Sequence, residues 1–131
     1  MISALGSGAK PQTMINVQIF GVKNSQATRA AERFFKERSV TIHFVDLDRK
    51  PMSPGEIKRF IDRFGLLELM DREGTSYIDA GLQYLKVSDA DLLAKIDREP
   101  KLLRLPLVRA GAKLSVGRDE LAWKEMLRQA L

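Results

Sequence analysis

Cysteine is absent from the 131 residues of the chain. Without a thiol the chain has no disulfide, no thiolate ligand for a metal ion and no cysteine nucleophile. Histidine occurs once, as His43, in the middle of a predicted strand, where we interpret it as a packing or surface residue and not as a catalytic base. We therefore predict no metal site and no resident cofactor.

Long apolar runs are also missing, and no charged segment followed by an apolar core opens the chain. We expect a cytoplasmic protein that does not enter the membrane. The net charge is +5, from 22 basic and 17 acidic residues, and the two signs alternate along the predicted helices, as is typical of a solvated surface. Nucleic-acid binding is therefore not predicted. The length and an apolar fraction of 44% fit one domain, which we expect to be a monomer.

The stretch around which the chain is organised runs from Val17 to Arg29. Strand-type residues end at Gly21, a polar loop follows, and helical spacing begins at Ser25. Unpaired N–H groups and the helix dipole both favour an anion at such a helix start. We therefore predict an anion-tolerant turn. Its candidate anion-binding residues are Lys23, Asn24, Gln26 and Arg29.

The remaining elements follow from periodicity, caps and breakers. We predict strands over Ile15–Phe20, Val40–Val45, Leu102–Val108 and Lys113–Val116. We predict helices after Ser25, from Ser53 to Gly65, over Leu66–Met70, in turns between Tyr77 and Tyr84, from Ser88 to Pro100 and over Asp119–Leu131. Ser53, Pro54 and Glu56 form a capping-box pattern. Trp123, Met126 and Leu127 have the spacing of core residues.

The predicted order is β-α-β, a helical block, and then β-β-α. The first half gives a parallel strand pair, and the second adds an antiparallel hairpin. This is an α/β, thioredoxin-like layout. We expect a flexible extension over residues 1–13 and a single domain over residues 14–131, with a helical insertion at about residues 52–100.

Five segments in this order resemble the arsenate reductase family. They read GVKNSQATRAA, DLDRKPMSPGE, MDREGTSY, PKLLRLPLV and VGRDELAW. The family includes glutaredoxin-dependent arsenate reductases and Spx-type transcriptional regulators. The resemblance implies the thioredoxin-like fold, a cis peptide bond between Leu105 and Pro106, and small oxyanions, glutathione, glutaredoxin or RNA polymerase as partners.

The chain departs from the family pattern where the chemistry lies. Family enzymes carry a cysteine where this chain has Ser25, and many carry an arginine where it has Leu105, just before Pro106. A further family arginine corresponds to Asp71. The resemblance therefore leaves a cleft whose candidate residues are Arg72, Arg104, Leu105 and Pro106.

Ser25 has two readings, as a replacement nucleophile or as the N-cap of the first helix. Serine is a preferred N-cap residue, and as a nucleophile it needs a neighbouring base, which the sequence does not provide. We therefore favour the cap, and with it a family member without thiol redox activity that keeps a binding or regulatory role. Two alternatives stay open: an active reductase in which serine has replaced the cysteine, and an Spx-like regulator that contacts RNA polymerase.

Overall fold

A computed structural model describes residues 16–128 of the protein. The predicted extension, residues 1–13, and Met14 and Ile15 lie outside the described residues. The sheet has four strands: β1 (Asn16–Gly21), β2 (Thr41–Asp46), β3 (Leu107–Ala110) and β4 (Lys113–Val116). The described part contains six α-helices: α1 (Gln26–Glu37), α2 (Pro54–Phe64), α3 (Leu66–Leu69), α4 (Thr75–Asp79), α5 (Asp89–Arg98) and α6 (Glu120–Arg128). Two 3-10 turns cover Leu82–Tyr84 and Pro100–Leu102.

The strand order in the sheet is β2-β1-β3-β4. β1 and β2 are parallel and place Val17 beside Ile42, whereas β1 pairs antiparallel with β3 through Ile19 and Val108. β3 and β4 form the antiparallel hairpin, which turns at Gly111 with a φ of 62°. The predicted order of β-α-β, a helical block and β-β-α is confirmed.

Each face of the sheet carries its own core, because alternate residues of a strand point to opposite faces. On one face Val17 and Ile19 pack against α1 and α6. Trp123 of α6 is fully buried there, and its indole N–H donates to the Ser115 hydroxyl at 3.2 Å. On the other face Phe20 and Leu107 pack against the inserted helices. The insertion thus covers the sheet face opposite α1.

Caps predicted from the sequence begin and end the helices. The Ser53 hydroxyl accepts from Glu56 N at 3.2 Å, and the Glu56 carboxylate accepts from Ser53 N at 2.9 Å, which completes the predicted capping box. Gly65, with a φ of 87°, ends α2. Ser88 caps α5 by accepting from Asp91 N at 3.1 Å.

The predicted strand over Leu102–Val108 is wrong over its first five residues. β3 begins only at Leu107, because Pro100 opens a 3-10 turn and Leu103 forms an isolated bridge with Met70. Pro106, which cannot donate to a ladder, lies just outside the strand, and the Leu105–Pro106 peptide bond is cis, as the resemblance implied.

Smaller boundary differences occur elsewhere. β2 starts at Thr41, one residue later than predicted. The helical turns predicted over Tyr77–Tyr84 are α4, which already begins at Thr75, and a separate 3-10 turn. No helix among residues 16–128 combines the length and the apolar character that a membrane crossing requires.

Candidate functional site

The turn after β1 is held by hydrogen bonds to Ser25. Ser25 N donates to Val22 O at 3.1 Å, which closes the loop. The Ser25 hydroxyl accepts from Thr28 N at 3.2 Å, with the extended backbone of an N-cap (φ −84°, ψ 122°). The predicted N-cap is confirmed, and Ser25 satisfies one of the free donors at the start of α1.

A close contact between Gly21 and Thr28 fixes the position of this helix start. Thr28 is completely buried, and a Cβ atom on Gly21 would overlap its Oγ1 and lie 2.6 Å from its Cγ2. Within residues 16–128 the Thr28 hydroxyl has no hydrogen-bond partner. The end of β1 and the first turn of α1 are therefore in contact at a distance that only glycine permits.

An open cleft of about 540 Å³ lies beside the start of α1. One wall is formed by Asn24, Ser25 and Ala27, from the loop and the first turn of α1. The facing walls come from the inserted helices and from the segment before β3. Their lining residues are Asp71, Gly74, Thr75, Ser76, Lys101, Leu103 and Leu105.

The cleft lining is close to electrically neutral. Asp71 and Lys101 are the charged residues among those that line it. The Asp71 carboxylate forms no hydrogen bond and no ion pair with any other described residue, and it lies over Gly74. A free carboxylate and an ammonium group in one cleft suit a ligand that carries both charges.

Leu105 lines the cleft from the segment before β3. Its neighbours are engaged, because Arg104 N donates to Leu69 O at 2.7 Å and the Pro106 carbonyl accepts from Gly117 N at 2.9 Å. The N–H and C=O groups of Leu105 have no partner in the part of the chain that the structure describes. A free backbone donor and acceptor are the groups that a peptide ligand uses.

The structure brings only some of the predicted residues together. Asn24, Ser25 and Leu105 line the cleft, whereas the side chains of Lys23, Gln26 and Arg29 are exposed outside its lining. Pro106 is buried behind Leu105. His43 is exposed on β2 and is not among the lining residues.

The two predicted arginines lie in a different hollow. Arg72 and Arg104 line a space of about 430 Å³ that shares only Asp71 with the cleft. Arg104 is held there because its Nη1 donates to Glu68 O at 3.0 Å. No guanidinium group therefore belongs to the lining described for the cleft.

Sequence reasoning missed three polar lining residues: Thr75, Ser76 and Lys101. Thr75 and Ser76 lie within the segment MDREGTSY, so a signal for them existed. Lys101 lies within the segment PKLLRLPLV, one residue before the predicted strand over Leu102–Val108, and the structure places it in the 3-10 turn Pro100–Leu102.

These features define a thioredoxin-like protein: a mixed four-stranded sheet, a helix start at the end of β1, and a cis-proline segment across the cleft. A model of the ArsC family matches residues 20–126, and the chain belongs to that family.

Solved structures agree with this fold. The YFFB protein is 19% identical, with a TM-score of 0.74, over 85% of this chain and 98% of its own. An arsenate reductase from Vibrio cholerae is 20% identical, with a TM-score of 0.72, over 85% of this chain and 98% of its own. An arsenate reductase related protein from Brucella melitensis is 20% identical, with a TM-score of 0.61, over 92% of this chain and 97% of its own. No curated protein matches the chain.

Proposed function

We infer that this ArsC family member binds a small peptide-like zwitterion, of which glutathione is the model, and does not reduce arsenate through a thiol. The observation that carries the proposal is the pairing of Ser25 with the free Leu105 backbone across one cleft. We place the protein in the cytoplasm, the compartment in which glutathione keeps thiols reduced.

The redox part of the proposal rests on elementary chemistry. Thiol-based reduction proceeds through a mixed disulfide, and a serine hydroxyl has no sulfur with which to form one. The Ser25 hydroxyl is also engaged as the N-cap acceptor of Thr28 N. Serine needs an adjacent base to act as a nucleophile, and no histidine lines the cleft.

The ligand part of the proposal rests on charge and on the free backbone groups. Leu105 and Asp71 stand where the resemblance places two arginines, so a dianionic oxyanion meets one ammonium group, that of Lys101, and one carboxylate. Glutathione carries an ammonium group for Asp71 and carboxylates for Lys101 and the start of α1. Its peptide groups match the unpaired N–H and C=O of Leu105.

The experiment is a calorimetric titration of the full chain with reduced glutathione, S-methylglutathione and arsenate. We expect both glutathione forms to bind in a saturable manner, since no sulfur chemistry is involved, and arsenate to bind more weakly. Asp71→Asn should weaken glutathione binding about 10-fold or more, because charge-assisted hydrogen bonds contribute about 1.5–3 kcal/mol. Asp62→Asn is the matched control, since Asp62 pairs with Lys58 on α2 at 2.7 Å outside the cleft lining. No glutathione binding, or tighter binding of arsenate, would contradict the proposal.

A second candidate is a reductase in which serine has replaced the cysteine. It is favoured by the position of Ser25, the residue aligned with the family cysteine, at a helix start with a cis-proline segment in the same cleft. An assay with arsenate, glutathione and glutaredoxin separates the two. The chain as it stands should match the no-protein control, and turnover by Ser25→Cys alone would favour the reductase.

The Spx-like regulator has a separate test. The purified chain would have that role if it retained RNA polymerase subunits in a pull-down and if glutathione did not change the binding constant measured by titration. Both results together would favour it over the glutathione-binding role.

A further inference from the structure

A second surface, lined by residues other than those of the cleft, lies along α5. The segment that follows the 3-10 turn Leu82–Tyr84 runs beside this helix and leaves a groove of about 300 Å³, here named the α5 groove. Its apolar lining residues are Leu85, Val87 and Ala94. The α5 groove shares no lining residue with the cleft.

Two large side chains are exposed at one end of the groove: Leu85 lines it, and Tyr84 precedes Leu85 in the chain. Tyr84 is 86% exposed and Leu85 is 57% exposed, next to each other in the chain. Their backbone belongs to a hydrogen-bonded turn, in which Tyr84 N donates to Gly81 O at 3.0 Å and Leu85 N donates to Leu82 O at 3.4 Å. Tyrosine is among the residue types that are enriched at the hot spots of protein interfaces.

The walls of the groove are basic. They carry Lys86, Lys95 and Arg98 against the single carboxylate of Asp91. None of these three cations forms an ion pair with a carboxylate of residues 16–128.

We propose that the α5 groove docks an acidic peptide segment of a protein partner, with an aromatic or aliphatic anchor that packs on Tyr84 and Leu85. The unpaired cations give the charge complementarity. The apolar lining residues, together with the exposed Tyr84, give the anchor site. An apolar anchor flanked by acidic residues matches this combination. The phosphate backbone of a nucleic acid would leave the apolar lining residues and Tyr84 without a partner. Electrostatic complementarity of this kind sets specificity and association rate.

The test is a selection of displayed random octapeptides on the full chain, followed by fluorescence anisotropy with the enriched peptides. We expect enrichment of peptides that combine acidic residues with a Phe, Trp or Leu. Binding should weaken as NaCl rises from about 50 to 300 mM, because exposed charges are screened. Lys95→Glu combined with Arg98→Glu should weaken binding at least 10-fold, and Tyr84→Ser should weaken it without changing the salt dependence.

Matched variants and ligands make the test decisive. Lys58→Glu, a charge reversal on α2 outside the groove, should leave peptide binding unchanged, and a thermal melt of each variant establishes that it is folded. Enriched peptides without an acidic bias, or binding that Lys95→Glu with Arg98→Glu does not alter, would overturn the proposal. Tighter binding of a single-stranded oligonucleotide, or of vesicles containing phosphatidylserine, that depends on Lys95 and Arg98 would overturn it as well.

Discussion

The two sides of the cleft differ in how strongly the fold determines them. The side formed by the start of α1 is set by the framework: Gly21 touches Thr28, Ser25 caps the helix, and α1 packs on the sheet. The insertion side is formed by the turn that contains Asp71 and Gly74, by the start of the five-residue helix α4 and by a 3-10 turn. Its lining side chains, such as Asp71 and Lys101, do not hold the backbone in place.

This difference explains how the chain keeps a family fold without the family's chemistry. Replacing a cysteine by serine at an N-cap preserves the cap, and Leu105 is 9% exposed where the resemblance places an arginine. Neither change disturbs the packing of α1. The framework of the cleft and the groups that act in it are therefore separable. Substitutions on the framework side should lower stability, whereas substitutions on the insertion side should change binding with little change in stability.

The largest effect is expected where the framework side is tightest. Gly21→Ala should lower the free energy of unfolding by about 1–3 kcal/mol, the range typical of overpacking, because Thr28 is β-branched and cannot turn away. Urea denaturation measures this. Gly55→Ala is the control, since Gly55 is exposed in α2 with nothing within 4 Å of a new Cβ. This substitution should raise the free energy of unfolding by about 0.5–1 kcal/mol.

Adding Thr28→Ala to Gly21→Ala should recover part of the lost stability, because two of the three overlapping atoms are removed. A Gly21→Ala variant as stable as the parent would show that the contact does not hold the helix start.

Loss of the cap should have the next largest effect. Ser25→Ala should lower the free energy of unfolding by about 1 kcal/mol, since Thr28 N loses its acceptor. Ser88→Ala, which removes the equivalent bond to Asp91 N in α5, should cost a similar amount. Of the two, Ser25→Ala alone should also weaken glutathione binding in calorimetry, because Ser88 does not line the cleft. Equal effects of both variants on binding would contradict the assignment of the cleft.

The smallest effect concerns the unpartnered hydroxyl of Thr28. Thr28→Val keeps the branched shape and replaces a buried group that lacks a partner among the described residues. Because such a group destabilises the folded state, the free energy of unfolding measured by urea denaturation should rise by up to about 1 kcal/mol in the variant. Ser115→Ala should lower the free energy of unfolding, since the Ser115 hydroxyl accepts a hydrogen bond from the Trp123 indole N–H. A loss in Thr28→Val comparable to that in Ser115→Ala would indicate that the Thr28 hydroxyl is satisfied.

Much of the fold could be predicted from local signals. Capping serines and Gly65 placed the helices, because caps depend on residues close in the chain. The segment before β3 was misassigned since its apolar composition suits a strand, whereas Pro100 and the pairing of Leu103 with Met70 decide its shape. That pairing is a tertiary contact and has no local signature.

The site was predicted less completely than the fold. Ser25 and Leu105 were identified through the resemblance, and both line the cleft. Arg104 is kept out of the cleft lining by its hydrogen bond to the Glu68 carbonyl, which is distant in the chain. Lys101 lines the cleft because it lies in a 3-10 turn that was not predicted. Side-chain placement of this kind is decided by the insertion, whose short helices have weak sequence patterns.

The central claim is that the framework side of the cleft still favours an anion although the family's cationic groups are missing. The most direct measurement is thiolate absorbance against pH for Ser25→Cys and for Ser25→Cys with Leu105→Arg. A free cysteine titrates near about 8.5. The N–H groups of Gln26 and Ala27, which have no acceptor among residues 16–128, should lower the pKa of the new thiol below that value, and the added arginine should lower it further. A pKa at or above about 8.5 in the single variant would contradict the claim.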